Sequence, residues 1–147
     1  MGYERVLVGV DGSETAARAA DRSIELTARC GGRLHVVDVV PLPTVGAAVG
    51  PAGAAAITAK VDDGDRAASE ALRATTERAQ ERGIDTEMHL VHGEPASAIV
   101  STATEVGADL IVVGNRGVDS SGRYILGGVP QSVLYSAPCD VLVVHTT

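Results

Sequence analysis

Short runs of Val, Leu and Ile, each too short for a helix, recur along this chain and are separated by segments with helical spacing. That alternation limits the fold more than any other feature. Four of the runs are residues 4–10 (ERVLVGV), 33–40 (RLHVVDVV), 109–114 (DLIVVG) and 140–145 (DVLVVH). Continuous apolar runs of this length, rich in Val, read as strands buried on both faces. A fifth run, 84–91, alternates Ile84, Thr86, Met88 and Leu90 with Asp85, Glu87 and His89, which is the pattern of a strand with one wet side at a sheet edge.

The intervening segments carry helix signals. Ser13 is placed to cap a helix whose stripe is Ala17, Ala20, Ile24 and Ala28, and Gly31-Gly32 stops it. From about Lys60, the residues Ala68, Ala71, Leu72, Thr75 and Ala79 mark an amphipathic helix that ends at Gly83. Pro41 through about Ala56 has no periodic signal and is expected to be a long loop. Glu94-Pro95 opens a third helix with a stripe of Ile99, Val100, Ala103 and Val106, closed by Gly107, and Val129 to Ser136 reads as a short fourth one before Pro138. Buried strands separated by helices require a parallel sheet with right-handed crossovers and helices on both faces. The expectation is one α/β domain over residues 1–147, a single open, doubly wound, five-stranded parallel sheet of Rossmann-like type with strand order 3-2-1-4-5.

Composition narrows the partners. Apolar residues make up 45% of the chain, with three Tyr, no Phe and no Trp, so one close-packed aliphatic core is expected. A formal net charge of −7 argues against a nucleic-acid partner, whose affinity would come from Lys and Arg replacing phosphate counterions. The scarcity of aromatics removes the stacking platform for single strands. No stretch approaches the roughly 18 apolar residues of a membrane span, and Met1 leads into a strand-like run with no signal-peptide pattern, so a cytoplasmic protein without a membrane partner is expected. Cys30 and Cys139 form neither a CxxC pair nor a metal cluster and are expected to be free thiols.

In an open parallel sheet, ligands bind beyond the carboxyl ends of the strands, where strand order reverses. Three such places stand out: Gly9-Val10-Asp11, Val36 to Asp38, and Val113 to Gly128. The third reads Gly114-Asn115-Arg116-Gly117, nine further residues, then Gly127-Gly128 at a helix start. Glycines let the backbone approach a phosphate closely, and a helix start offers free N–H groups at the positive end of its dipole. Arg116 and Arg123 could add charge there or lie on the surface, and Asp11 could be either a ligand contact or a turn former.

With these residues in view, the sequence resembles the universal stress protein family, specifically its ATP-binding branch, whose motif is GxxG, nine residues, then Gly followed by Ser or Thr. The resemblance spans VGVDGSETAARA at 8–19, LHVVDV at 34–39, ADLIVVGNRG at 108–117 and APCDVLVVH at 137–145. It implies that Asp11 contacts the ribose or base, with Gly9 and Val10 beside it, that the Val36 backbone hydrogen-bonds adenine, and that Val113 packs on the base. It also implies that Gly114 and Gly117 approach the ribose and phosphates, that Gly127, Gly128 and Val129 hold the phosphate tail, and that Arg116 adds charge. The implied ligand is ATP, with or without Mg²⁺, in a sensor or regulatory protein of the stress response that dimerises through strand 140–145.

The sequence departs from the family pattern where the usual hydroxyl residue is Gly128 and a further common hydroxyl position is Pro130. A hydrogen bond to a charged group is worth roughly 1.5–3 kcal/mol, so one lost hydroxyl weakens triphosphate binding by about 10- to 150-fold. AMP or cyclic AMP is therefore the alternative ligand. Two other readings remain open: a slow ATPase in which Asp11 or Asp38 holds Mg²⁺ or activates water, and a dimeric interaction module that binds no nucleotide.

Nothing points to rapid chemistry. Ser120, Ser121, Ser132 and Ser136 lack a GxSxG setting, and no GxxxxGK[ST] run is present. His35, His92 and His145 have no His or Cys partner at metal-ligand spacing, so no metal site and no catalytic residue are expected.

Overall fold

The computed structural model describes residues 2–43, 50–115 and 128–146. The element order is β1 (Arg5–Gly9), α1 (Glu14–Cys30), β2 (Arg33–Val40), α2 (Pro51–Glu81), β3 (Thr86–His92), α3 (Pro95–Val106), β4 (Leu110–Gly114), α4 (Gly128–Ser136) and β5 (Asp140–Val144). All five strands are parallel, in the order β3-β2-β1-β4-β5. Strand order therefore reverses between β1 and β4, the neighbouring strands where the sheet is wound in its two directions.

Caps explain where the helices begin and end. Ser13 holds an extended conformation and its Oγ accepts from the Ala16 N–H at 3.1 Å, while Gly31 takes the left-handed conformation (φ 68°) that closes α1. At α3, the Glu94 carboxylate accepts from the N–H groups of Ala96 (3.1 Å) and Ser97 (2.8 Å). Those hydrogen bonds hold the Glu94 carboxyl below the usual range.

The sheet divides the expected single core into two apolar clusters. On one face Val6, Val8, Leu34, Val36 and Val112 pack with Ala19, Ala20 and Ile24 of α1 and Leu72 and Ala79 of α2. On the other, Leu7, Val37 and Ile111 pack with Ile99 and Ala103 of α3 and Val133 of α4. Each buried Val, Leu or Ile side chain contributes about 1.5–3 kcal/mol of transfer free energy.

Two elements differ from expectation. Helix α2 begins at Pro51, inside the segment expected to be loop, after Gly50 in an extended conformation. Its fully buried residues start only at Ala68; before it the half-buried positions Gly53, Ile57, Val61 and Gly64 recur at helical spacing, but two of these four are glycines, so the apolar stripe is too thin for periodicity to reveal. On β3, the edge strand, Met88 is 51% exposed, although alternation had placed it on the buried side. The end of the sheet beside α2 leaves it only half covered.

Candidate functional site

Parallel topology puts every strand-to-helix turn at one end of the sheet. The C-terminal ends of β1, β2 and β4 and the N-terminal ends of α1 and α4 therefore meet around the β1/β4 reversal, the place where open parallel sheets bind ligands.

At the end of β1, Val10 extends the pairing by one residue, its N–H donating to Val37 C=O at 2.8 Å. Asp11 is exposed, and its Oδ1 accepts from the Ser13 N–H at 2.9 Å, which fixes the carboxylate over the start of α1. Gly12 between them has φ 79°, a conformation that requires glycine at this turn.

At the end of β2 the side chain facing this turn is Asp38, which is only 5% exposed. Burial, and secondarily the charge of Asp11, push the Asp38 carboxyl up to about 7. Val36 lies further back, in the body of β2, in register with Val8 and Met88 and with its side chain in the core. Thus Gly9, Val10, Asp11 and Asp38 come together, and Val36 sits below them.

At the end of β4, Val113 is buried in the α3/α4 cluster and Gly114 is half-exposed. Asn115 follows and is anchored on both sides: its N–H donates to Val144 C=O at 3.0 Å, and its Oδ1 accepts from Thr146 N (2.9 Å) and Thr146 Oγ1 (2.7 Å). Arg18 of α1 donates to Thr146 C=O at 2.8 Å. This clamp fixes the direction in which the chain leaves β4. Sequence reading missed Asn115 as an anchor, although its place directly after a buried strand was a signal.

Helix α4 begins with Gly128 exposed, Val129 half-buried and Pro130 buried. Pro130 occupies the first turn, where a missing N–H breaks no helical hydrogen bond. Arg116, Gly117, Arg123 and Gly127 lie outside the described residues.

The comparisons with known proteins fit this geometry. A family model described as the universal stress protein family matches residues 2–145. The chain belongs to the universal stress protein family. A Staphylococcus aureus protein (strain USA300) named as a universal stress protein is 36% identical over 146 residues, spanning 98% of this chain and 85% of the relative. Among solved structures, the universal stress protein UspA from Lactobacillus plantarum superposes with a TM-score of 0.89 at 25% identity, covering 98% of this chain and 99% of that one. A universal stress protein in complex with cAMP aligns at 33% identity and TM-score 0.75, covering 100% of both chains. The Archaeoglobus fulgidus universal stress protein in complex with dAMP aligns at 27% identity and TM-score 0.69, covering 97% of this chain and 98% of that one. The family's open parallel sheet is the fold described above. Among the described residues, no helix is long and apolar enough to cross a membrane.

Proposed function

We propose that this universal stress protein binds an adenine nucleotide in the crevice outside the carboxyl ends of β1 and β4 and acts as a cytoplasmic sensor or regulatory dimer in the stress response. The observation that carries the reading is the convergence of Gly9, Val10, Asp11 and Gly114 at the β1/β4 reversal, at the end of the sheet where α4 starts with Gly128. Asp11, oriented by Ser13, suits a ribose hydroxyl. Val113 and the β2 backbone at Val36 would border the base, Gly114 and Gly117 the ribose and phosphates, and Gly127, Gly128, Val129 and Pro130 the phosphate tail with Arg116.

ATP is the ligand of the GxxG-x9-G branch that the loop resembles. A second reading, a single phosphate as in AMP or cyclic AMP, is favoured by Pro130. This residue takes one N–H donor from the first turn of α4, and Gly128 offers no hydroxyl. The solved relatives with cAMP and dAMP support the same reading. Equilibrium titration with ATP, AMP and cyclic AMP, together with mass spectrometry of any co-purifying nucleotide, tests the proposal. Failure of all three to bind below about 1 mM, a free energy of only about 4 kcal/mol, overturns it.

The proposed dimer is supported by β5, the last strand of the sheet, whose Val141, Leu142 and Val143 are only half-buried in one chain. Pairing with a second copy covers that edge. A monomer in sedimentation at micromolar concentration would refute it.

A further inference from the structure

At the opposite edge, the sheet brings together three metal-ligating side chains that lie far apart in the sequence. His35 of β2 is in register with Glu87 of β3, and His89 lies two residues further along β3. Strand alternation therefore puts all three on the same face of the sheet. His35 Nδ1 is 3.0 Å from His89 Nε2 and 3.7 Å from Glu87 Oε2. One ligand atom from each residue falls within 4.8 Å of the other two. Ligand atoms bound to tetrahedral Zn²⁺ at about 2.0–2.2 Å stand about 3.3–3.6 Å apart, so the two measured separations bracket the required spacing closely.

We propose that His35, Glu87 and His89 form a binding site for a divalent transition-metal ion of the zinc class, with solvent in the fourth position. Two imidazoles and one carboxylate suit such an ion, whereas Mg²⁺ and Ca²⁺ prefer sites made of oxygen alone. His35 is buried and held by packing, His89 is half-buried and Glu87 is exposed, so the site has a fixed floor and a way in from solvent. In the metal-free protein the two rings share one hydrogen bond. Metal entry moves the donor ring's proton to its other nitrogen, leaving both rings neutral with a lone pair toward the ion. The Arg33 guanidinium, 3.5 Å from Glu87 Oε2 and 3.2 Å from Asp85 Oδ2, competes for Glu87 and keeps Asp85 as its partner when the ion binds.

The bound ion would cross-link the edge strand β3 to β2. The site lies at the β2/β3 edge, apart from the β1/β4 crevice, and does not rest on nucleotide binding.

The test uses the full chain, stripped with a chelator and dialysed, then titrated with ZnCl₂ in a calorimeter and melted with and without Zn²⁺. Co²⁺ serves as a visible-absorption probe of tetrahedral geometry. Binding of one ion per chain is expected, with Tm raised by about 5–10 °C at a roughly hundredfold excess of Zn²⁺ over its dissociation constant. His89→Gln should abolish the response, and Glu87→Gln should weaken binding about tenfold or more. His92→Gln, which removes a separate 2.6 Å contact with Asp65, should leave binding intact. Absence of heat and of a Tm shift below millimolar Zn²⁺ overturns the proposal. So does a folded His89→Gln protein that binds as the wild type does, because the two histidines are then only hydrogen-bonded. If His89→Gln fails to fold, wild-type affinity in Glu87→Gln overturns it equally.

Discussion

Asn115, the first residue after β4, accepts two hydrogen bonds from Thr146, the second residue after β5, through the single oxygen Oδ1. Thr146 is 2% exposed, so both of its donors depend on that oxygen rather than on water. Asn115→Ala is expected to destabilise the protein by about 1–3 kcal/mol and to release the Thr146 amide to hydrogen exchange. Chemical denaturation and exchange measured together check this; unchanged protection at Thr146 would contradict the clamp.

Asp38 makes stability depend on pH in an unusual direction for a carboxylate. Its folded pKa of about 7 lies above the unfolded value near 3.9, so between those limits the folded state holds a proton that the unfolded state has lost. The stability Asp38 contributes is fully present below about pH 4 and is lost as pH rises through about 7. Asp38→Asn should remove this slope and raise stability at pH 8 by about 2–4 kcal/mol relative to wild type. Denaturant melts from pH 5 to 8 would show parallel curves for the two proteins if burial does not perturb Asp38.

Gly128→Ser probes the phosphate end of the nucleotide reading. Among the described residues a Cβ built on Gly128 meets nothing within 4 Å, so the substitution should change stability by no more than about 0.5 kcal/mol. The new hydroxyl should tighten ATP by about tenfold or more and cyclic AMP by less. Equal gains for both ligands in calorimetric titration would contradict the placement of phosphate at the start of α4.

Gly32 is a steric requirement of the turn into β2. A Cβ there would lie 2.5 Å from the Tyr3 carbonyl oxygen and 2.9 Å from that of Glu4, both backbone atoms that cannot step aside. Gly32→Ala should cost more than about 2 kcal/mol, whereas Gly50→Ala, whose added Cβ meets nothing within 4 Å among the described residues, should cost no more than the roughly 1 kcal/mol of a poorer helix N-cap. Thermal melts of the two variants side by side provide the comparison, and equal midpoints would contradict the crowding at Gly32.

The alternation of Val-rich runs with capped helical segments made the sheet and its helices legible before any coordinates. Ser13, Gly31, Glu94 and Gly107 act where they stand in the chain, so their signals are local. The first half of α2 escaped because amphipathic periodicity shows only where apolar side chains line the covered face, and before Ala68 that face is half-buried and carries Gly53 and Gly64 beside Ile57 and Val61. Asp11 was marked by its place at a strand end. The raised pKa of Asp38 was not readable there, because it depends on burial at the end of β2 and on a carboxylate that arrives from β1.

Which residue types stand at strand ends and helix starts is written along the chain, and with it the family, the fold and the end of the sheet where a nucleotide would bind. Pairing partners are not. His35 and His89 are 54 residues apart, and only the β2/β3 register brings their nitrogens to 3.0 Å. Asn115 and Thr146, 31 residues apart, meet only because β4 and β5 lie side by side. Propensity and capping act over a few neighbouring residues, whereas register is settled when whole strands bury their apolar faces together, and a shift of one residue would turn every side chain of a strand to the other face.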